Sequence, residues 1–189
     1  VRIILIVFVS LAGYYLLVIK PAQNNKNYPT PSMVTDQDQL LAISKTILLD
    51  IKNKSFSQIA GGVPPTQGLV VKPYYTSSNE QGRVVGVDEL REFTSNLTVQ
   101  YWGIYDGSGI PMDLSNIEYY NKFIYPVDFI NTAQVSFNKS LVVGNTLPLD
   151  EIAASLFPNQ EISYVEYFMP GTIPNGEMDW QSLTMVFEK

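Results

Sequence analysis

The order of apolar and polar positions divides the chain into an apolar N-terminal segment, a polar connection and a long mixed region. Residues 3–19 are almost wholly apolar and uncharged. As a helix, this run would be about 26 Å long, close to the hydrocarbon thickness of a bilayer. A secretory signal is the competing interpretation, but it has a shorter apolar region and small residues at its cleavage site. We therefore predict that residues 1–20 form an uncleaved membrane anchor, with the lipid bilayer as partner of residues 3–19.

A polar stretch separates this anchor from a long amphipathic segment. Residues 21–35 combine low hydrophobicity with prolines, which is typical of a flexible linker. Residues 36–60 then place apolar side chains at helical spacing, and Gly61 can end the helix. The polar residues 53–55 indicate a point where the helix is interrupted. The apolar stripe, which we expect to face the core, comprises Leu40, Leu41, Ile43, Ile47, Leu48 and Ile51.

After Val63 the spacing of apolar residues changes from helical to alternating. Residues 129–143 fit either one long hairpin arm or two strands around 138–139. Short helices are predicted at 88–94, 117–124 and 149–157, and strands at 69–75, 83–87, 97–105, 162–169 and 182–188. This order predicts one extracytoplasmic α+β domain over residues 36–189, in which a long N-terminal helix packs on a curved antiparallel sheet.

The centre of this domain contains a turn and a helix start. Asp106–Gly109 ends a strand, since Asp-Gly favours a tight turn. Pro111 argues against an immediate return to a central strand. Ser115 and Glu118 have the spacing of a capping box, which predicts the start of the helix at 117–124.

Aromatic side chains are concentrated around this turn. One interpretation is an aromatic-lined pocket with Asp106, Ser108 and Asp128 as its polar groups, and the other is a turn beside a packed aromatic core. For the pocket we predict that Trp102 and Tyr105 line a concave surface closed by the helix at 117–124, with Asp106 at its rim. The candidate ligand-binding residues are Tyr101, Trp102, Tyr105, Asp106, Ser108, Tyr119, Tyr120, Asp128, Asp179 and Trp180.

Composition limits the chemistry. The chain contains 12 Lys and Arg against 18 Asp and Glu, and without Arg2 and Lys20 the balance is 10 against 18, or −8. Such an acidic domain argues against nucleic acid as a partner. The chain has no Cys and no His, which removes disulfides, thiolate nucleophiles and the commonest metal ligand. The Asp106–Gly109 turn hints at a calcium loop, but Ile110 and Met112 stand where further oxygen ligands belong. We expect neither a metal site nor a cofactor.

Several phrases resemble an uncharacterised family of bacterial extracytoplasmic proteins, often lipoproteins. They are Ala60–Pro64, Tyr101–Gly109, Glu118–Phe123, Asp128–Phe129, Gly144–Thr146 and Gly176–Leu183. The resemblance implies a location in the bacterial envelope and an architecture, and no chemistry. By analogy the helix-then-sheet order is similar to NTF2-like or cystatin-like domains. The chain departs from the family because Tyr14 stands where a lipidated Cys is expected, and because relatives continue past the final strand.

These observations favour a membrane-tethered, non-catalytic module that binds a small ligand or an envelope protein on the extracytoplasmic side of the cell membrane. One alternative is an NTF2-like enzyme with Asp106 or Asp128 as base and Tyr101, Tyr105 or Tyr120 as proton donor. Another is an inhibitor or immunity-type protein that blocks a partner through its acidic surface.

The last strand leads to a separate expectation. We predict that residues 182–188 pair with 162–169 along one edge and leave the other edge unpaired, which suggests a truncated C-terminus or a partner chain that adds a strand.

Overall fold

The computed structural model describes residues 2–9, 16–18, 37–74, 82–142, 151 and 161–188, which form an α+β fold. The helices are α1 (Gln37–Lys52), α2 (Phe56–Gly61), α3 (Val87–Arg91), α4 (Asn116–Tyr119, continued by a π-helix at Tyr120–Ile124) and α5 (Phe129–Thr132), with a 3-10 turn at Ile173–Asn175. The strands are β1 (Arg2–Val9), β2 (Leu16–Val18), β3 (Leu69–Lys72), β4 (Arg83–Val85), β5 (Val99–Ile104), β6 (Pro111–Ser115), β7 (Gln134–Phe137), β8 (Ile162–Met169) and β9 (Gln181–Glu188).

Helix α1 provides one wall of the core. Its buried face contains Leu40, Ile43, Ser44, Ile47, Leu48 and Ile51. The predicted interruption is confirmed, because α1 ends at Lys52, Lys54 has a positive φ of 57°, and α2 begins at Phe56. Thr35 and Asp36, either of which has a side chain that can cap the start of this helix, lie outside the described residues.

Strands β7, β8 and β9 form the sheet that faces α1. The strands are ordered β4-β3-β2-β9-β8-β7, and β1 also pairs with β9. All pairings are antiparallel except that of β2 with β9. Val165 pairs with Met185 and Tyr167 with Leu183, and all four side chains are buried in the core cluster. The predicted pairing of the last strand with 162–169 is therefore confirmed.

The prediction of an unpaired edge on β9 is wrong in this structure. A strand has two hydrogen-bonding edges, and β8 occupies one of them. Strands β1 and β2 also take partners on β9, with Val9 opposite Gln181 and Val18 opposite Val186. The described parts of the predicted anchor, residues 2–9 and 16–18, are strands β1 and β2, and its other residues and the linker lie outside the described part of the chain. Among the described residues, no helix combines the length and the apolar character needed to span a bilayer. The anchor and the linker remain predictions.

The central turn joins two paired strands. β5 pairs with β6 in a separate two-stranded sheet, and β6, which the sequence analysis did not predict, begins at Pro111. Proline is tolerated there because it is the first residue of a strand and not part of a central one. The predicted capping box is confirmed: Ser115 Oγ accepts the Glu118 N–H, and Glu118 Oε2 accepts the Ser115 N–H at 2.8 Å.

Two predicted segments differ from the observed structure. Residues 129–132 form helix α5 and not the start of a strand, because Asp128 caps the turn by accepting the Ile130 N–H. Strand β7 occupies only 134–137 of the predicted arm. The predicted helix at 149–157 lies outside the described residues except for Glu151.

Candidate functional site

Trp102 is a core side chain. Its indole is fully buried, stacks on Tyr119 with ring centroids 3.6 Å apart, and meets the edge of Phe93 at 6.2 Å. Its Nε1–H donates to the Leu114 carbonyl at 3.0 Å, so its polar atom is also satisfied internally. The prediction that Trp102 lines a concave surface is therefore wrong, because neighbouring rings fill the space beside the indole.

A polar cluster closes the other side of this aromatic stack. The Arg83 guanidinium lies 4.8 Å from the centre of the Trp102 ring and donates to both Glu89 carboxylate oxygens, at 2.6 and 3.0 Å. The Asn116 side-chain amide donates to the same carboxylate at 2.9 Å. Sequence reasoning missed this cluster because its members lie on β4, α3 and α4. Burial raises the pKa of Tyr119 well above its usual range.

Tyr105, Asp106 and Ser108 lie on a turn at the surface. The Lys122 ammonium donates to the Tyr105 hydroxyl at 2.9 Å and lies over its ring. The Tyr74 hydroxyl accepts the Asp106 N–H at 3.0 Å, and the Asp106 carboxylate accepts the Gly107 N–H. These contacts close the turn, and Asp106 and Ser108 face solvent.

Asp128 and Tyr120 form hydrogen bonds to the C-terminal end of α1. The Asp128 carboxylate accepts hydrogen bonds from Lys52 at 3.0 Å, Tyr125 at 2.8 Å and Asn131 at 2.6 Å. The bonds from Lys52 and then Tyr125 hold the pKa of Asp128 far below its usual range. The Tyr120 hydroxyl donates to the Ile51 carbonyl at 2.9 Å. Asp106 and Asp128 thus form hydrogen bonds with different residues, and Asp128 is ionised rather than poised as a base.

Asp179 and Trp180 belong to the loop before β9. The Asp179 carboxylate accepts the Thr172 N–H and hydroxyl at 2.6 and 2.8 Å, and the Asn175 amide at 2.8 Å. These bonds, led by the one from the Thr172 N–H, lower the pKa of Asp179 to about 2. Trp180 packs near Phe168 with ring centroids 5.9 Å apart. Both residues stabilise the local loop, away from the central turn.

A groove lies between helices α1 and α5 and strands β7 and β8. It encloses about 230 Å³ and opens to solvent. Five of the six described side chains that line it are apolar or aromatic. The lining residues are Leu41, Lys45, Leu48, Ile130, Val135 and Tyr167. None of these residues was a predicted site residue. The signal in the sequence was Ser44, a polar residue within the apolar stripe of α1, but its partner is 123 positions away.

A directed hydrogen-bond chain forms the floor of this groove. The Ser44 hydroxyl donates to the Leu41 carbonyl at 2.9 Å and lies 2.8 Å from the Tyr167 hydroxyl. Because a serine hydroxyl has one proton, Tyr167 is the donor to Ser44. Burial raises the pKa of Tyr167 to about 12, which keeps this proton in place.

The mouth of the groove carries one positive charge, on Lys45. Among the residues that the structure describes, no carboxylate lies within ion-pair distance of the Lys45 ammonium. Lys52, two helical turns further along α1, is instead held by Asp128 at 3.0 Å. The described lining of the groove is therefore apolar apart from one unpaired cation, a composition that is common in small-molecule pockets.

A second feature is an apolar surface on the β5–β6 hairpin. Tyr101 belongs to it, since its side chain is 56% exposed. The exposed apolar residues around it are Leu97, Val99, Ile104 and Ile110. An exposed apolar group of this kind is typical of contact surfaces between proteins.

The described residues contain no group of three or more Asp, Glu, His or Cys side chains that could hold a metal ion. Searches against family models, curated proteins and solved structures found no match for this chain.

Proposed function

We propose that this chain is a membrane-tethered extracytoplasmic module that binds a small ligand without chemical conversion. The ligand-binding part of this proposal is carried by the groove between α1, α5, β7 and β8, and the tether rests on the apolar residues 3–19. The described residues of the groove lining combine apolar walls with a lysine and a protonated tyrosine, and none of them is a carboxylate. Such a lining supplies contact area and one charge for orientation.

The environments of the candidate acid–base residues support binding over catalysis. A catalytic base benefits from a pKa raised toward neutrality, but the pKa of Asp128 moves in the opposite direction because Lys52 and Tyr125 stabilise its charge. Burial raises the pKa of Tyr120 to about 12, and its hydroxyl is engaged by the Ile51 carbonyl. The alternative of an NTF2-like enzyme, like the NTF2-like or cystatin-like architecture itself, therefore rests on analogy between folds.

Binding of an envelope protein is a second candidate function, and the exposed apolar surface of the β5–β6 hairpin favours it. Replacing Val99 with Asp would place a charge in the centre of such a contact. If the hairpin is the functional surface, Val99→Asp abolishes co-purification of the partner from crosslinked membranes, while the groove variant Val135→Trp leaves it intact.

The tether and its orientation are tested by cysteine labelling, for which the chain is well suited because it contains no Cys. We would introduce Ser95→Cys on an exposed turn of the full chain expressed in a bacterium. The proposal expects a membrane-impermeant maleimide to label intact cells, and the labelled chain to stay with membranes through a carbonate wash.

Ser44→Cys is the matched control, because Ser44 is fully buried and its thiol reacts only after denaturation. Labelling of Ser95→Cys only after lysis would contradict the extracytoplasmic location. Release of labelled protein by carbonate would contradict the anchor.

A further inference from the structure

We infer that the groove binds a small molecule in which one carboxylate is attached to an apolar body, with Lys45 contacting the carboxylate. This inference rests on the proposed ligand-binding function and specifies the ligand class. It is carried by the position of the unpaired Lys45 ammonium at the mouth of an otherwise apolar groove.

Charge complementarity selects an anion. Of the described cations, Lys52, Arg83 and Arg91 lie within ion-pair distance of a carboxylate. Lys45, Lys54, Lys122 and Lys139 do not, and of these four Lys45 lines the groove. Lys45 has no such partner among the described residues, so a ligand carboxylate would supply the missing charge. A hydrogen bond to a charged group contributes more than one between neutral groups, which favours acids over neutral ligands.

The number of donors limits the charge of that anion. Phosphate sites gather several N–H donors or an arginine fork around a doubly charged group. Among the described residues, the groove lining offers one ammonium, and the Tyr167 proton is already donated to Ser44. A singly charged carboxylate fits this supply better than a phosphate.

The volume and the walls define the rest of the ligand. At the roughly 30 Å³ that a water molecule takes in the liquid, about 230 Å³ holds on the order of eight non-hydrogen atoms. Leu41 and Leu48 on α1 face Ile130 and Val135 across this space. These aliphatic side chains favour an apolar body of that size, extending from the carboxylate at Lys45 toward the Tyr167 ring.

The test uses the full chain and three probes that share one body. They are 3-phenylpropionate, 3-phenylpropan-1-ol and 3-phenylpropylamine. Each is titrated by ligand-observed NMR against the full chain in lipid vesicles, and vesicles without protein are the blank. We expect the acid to bind about tenfold more tightly than the alcohol, and the amine to bind most weakly. Raising the salt concentration should shrink the advantage of the acid.

Variants separate the charge from the apolar body. Lys45→Gln should bring the acid and the alcohol to similar affinities, whereas Lys139→Gln, at an exposed lysine outside the groove, should preserve the difference. Val135→Trp should weaken the acid and the alcohol together by filling the groove from its rim. Val135 is half exposed, so this variant is expected to fold.

Three outcomes would overturn the inference. They are no binding of any probe, equal affinity for the acid and the amine, or an equal loss of affinity for the acid in Lys45→Gln and Lys139→Gln. Each of these is independent of the maleimide experiment. Failure of the probes with successful surface labelling removes this ligand class, while failure of the labelling removes the tethered extracytoplasmic location.

Discussion

The core has two sides that use aromatic residues in opposite ways. On one side, Trp102, Tyr119 and Phe93 stack against each other, and Arg83 covers the indole. On the other side, a single tyrosine, Tyr167, forms the floor of an open groove. The side with more aromatic rings is the sealed one, because flat rings stack and fill the space between elements.

The polar contacts of the two sides explain this difference. The Trp102 side has an internal carboxylate, Glu89, for its arginine, so its charges are balanced within the fold. The groove side has Lys45 with no carboxylate partner among the described residues. The two sides therefore differ in charge balance as well as in packing, and the proposed binding site lies on the side with the unpaired lysine.

The sharpest test of the sealed side is Trp102→Ala. We expect a loss of about 3 to 5 kcal/mol in the free energy of unfolding, because the truncation leaves a cavity that the stacked rings cannot fill. Tyr101→Ala, at the neighbouring exposed position, should change stability by less than about 0.5 kcal/mol. Denaturant unfolding measures both. Similar losses in the two variants would mean that Trp102 is not a core residue.

Arg83→Lys probes the charge balance of the same side. Lysine keeps the charge but cannot donate two parallel bonds to Glu89 or lie flat on the Trp102 ring. We expect a loss of about 1 to 2 kcal/mol. Arg91→Lys, at an exposed ion pair with Asp88, is the control and should stay within about 0.5 kcal/mol. Equal losses of stability in the two variants would show that the planar guanidinium contributes nothing at position 83.

The groove floor is tested by a pair of substitutions. Ser44→Ala leaves the buried Tyr167 proton without its acceptor, so we expect a cost of about 1 to 2 kcal/mol. Tyr167→Phe leaves the Ser44 proton on the Leu41 carbonyl and should cost about 1 kcal/mol or less. Thermal unfolding of both variants shows which substitution costs more stability. The reverse order would show that Ser44 donates to Tyr167.

The smallest expected effect concerns Lys72, a buried lysine on β3. Burial lowers its pKa from 10.5 to about 8, so between these values the unfolded chain binds a proton that the folded chain does not. Stability therefore rises with pH across this window. Lys72→Met should stabilise the fold by about 1 kcal/mol at pH 7, a value discounted for solvent screening.

The gain from Lys72→Met should disappear above pH 10.5, where the lysine is neutral in both states. Urea unfolding at pH 7 and at pH 11 gives the comparison, with Lys139→Met as the exposed control. A gain that does not depend on pH would show that the charge of Lys72 has no part in it.

Local patterns in the chain were sufficient for several elements. The stripe of α1, the capping box at Ser115, and the alternation of residues 162–169 and 182–188 each depend on neighbours a few positions apart, and the structure contains all of them. Helix α5 was not predictable in this way, because Phe129–Thr132 is a short apolar run whose helix depends on the cap at Asp128.

The sequence by itself determined the amphipathic helix, the β-rich remainder, the acidic charge and the lack of Cys and His. Only the tertiary structure decided which aromatic residues are buried, that Asp106 and Asp128 have separate partners, and that Ser44 meets Tyr167 across 123 positions. The physical reason is the range of the interactions. Helical periodicity and caps act within a few residues, whereas a groove, a buried hydroxyl pair and an unbalanced lysine arise only after distant elements pack together.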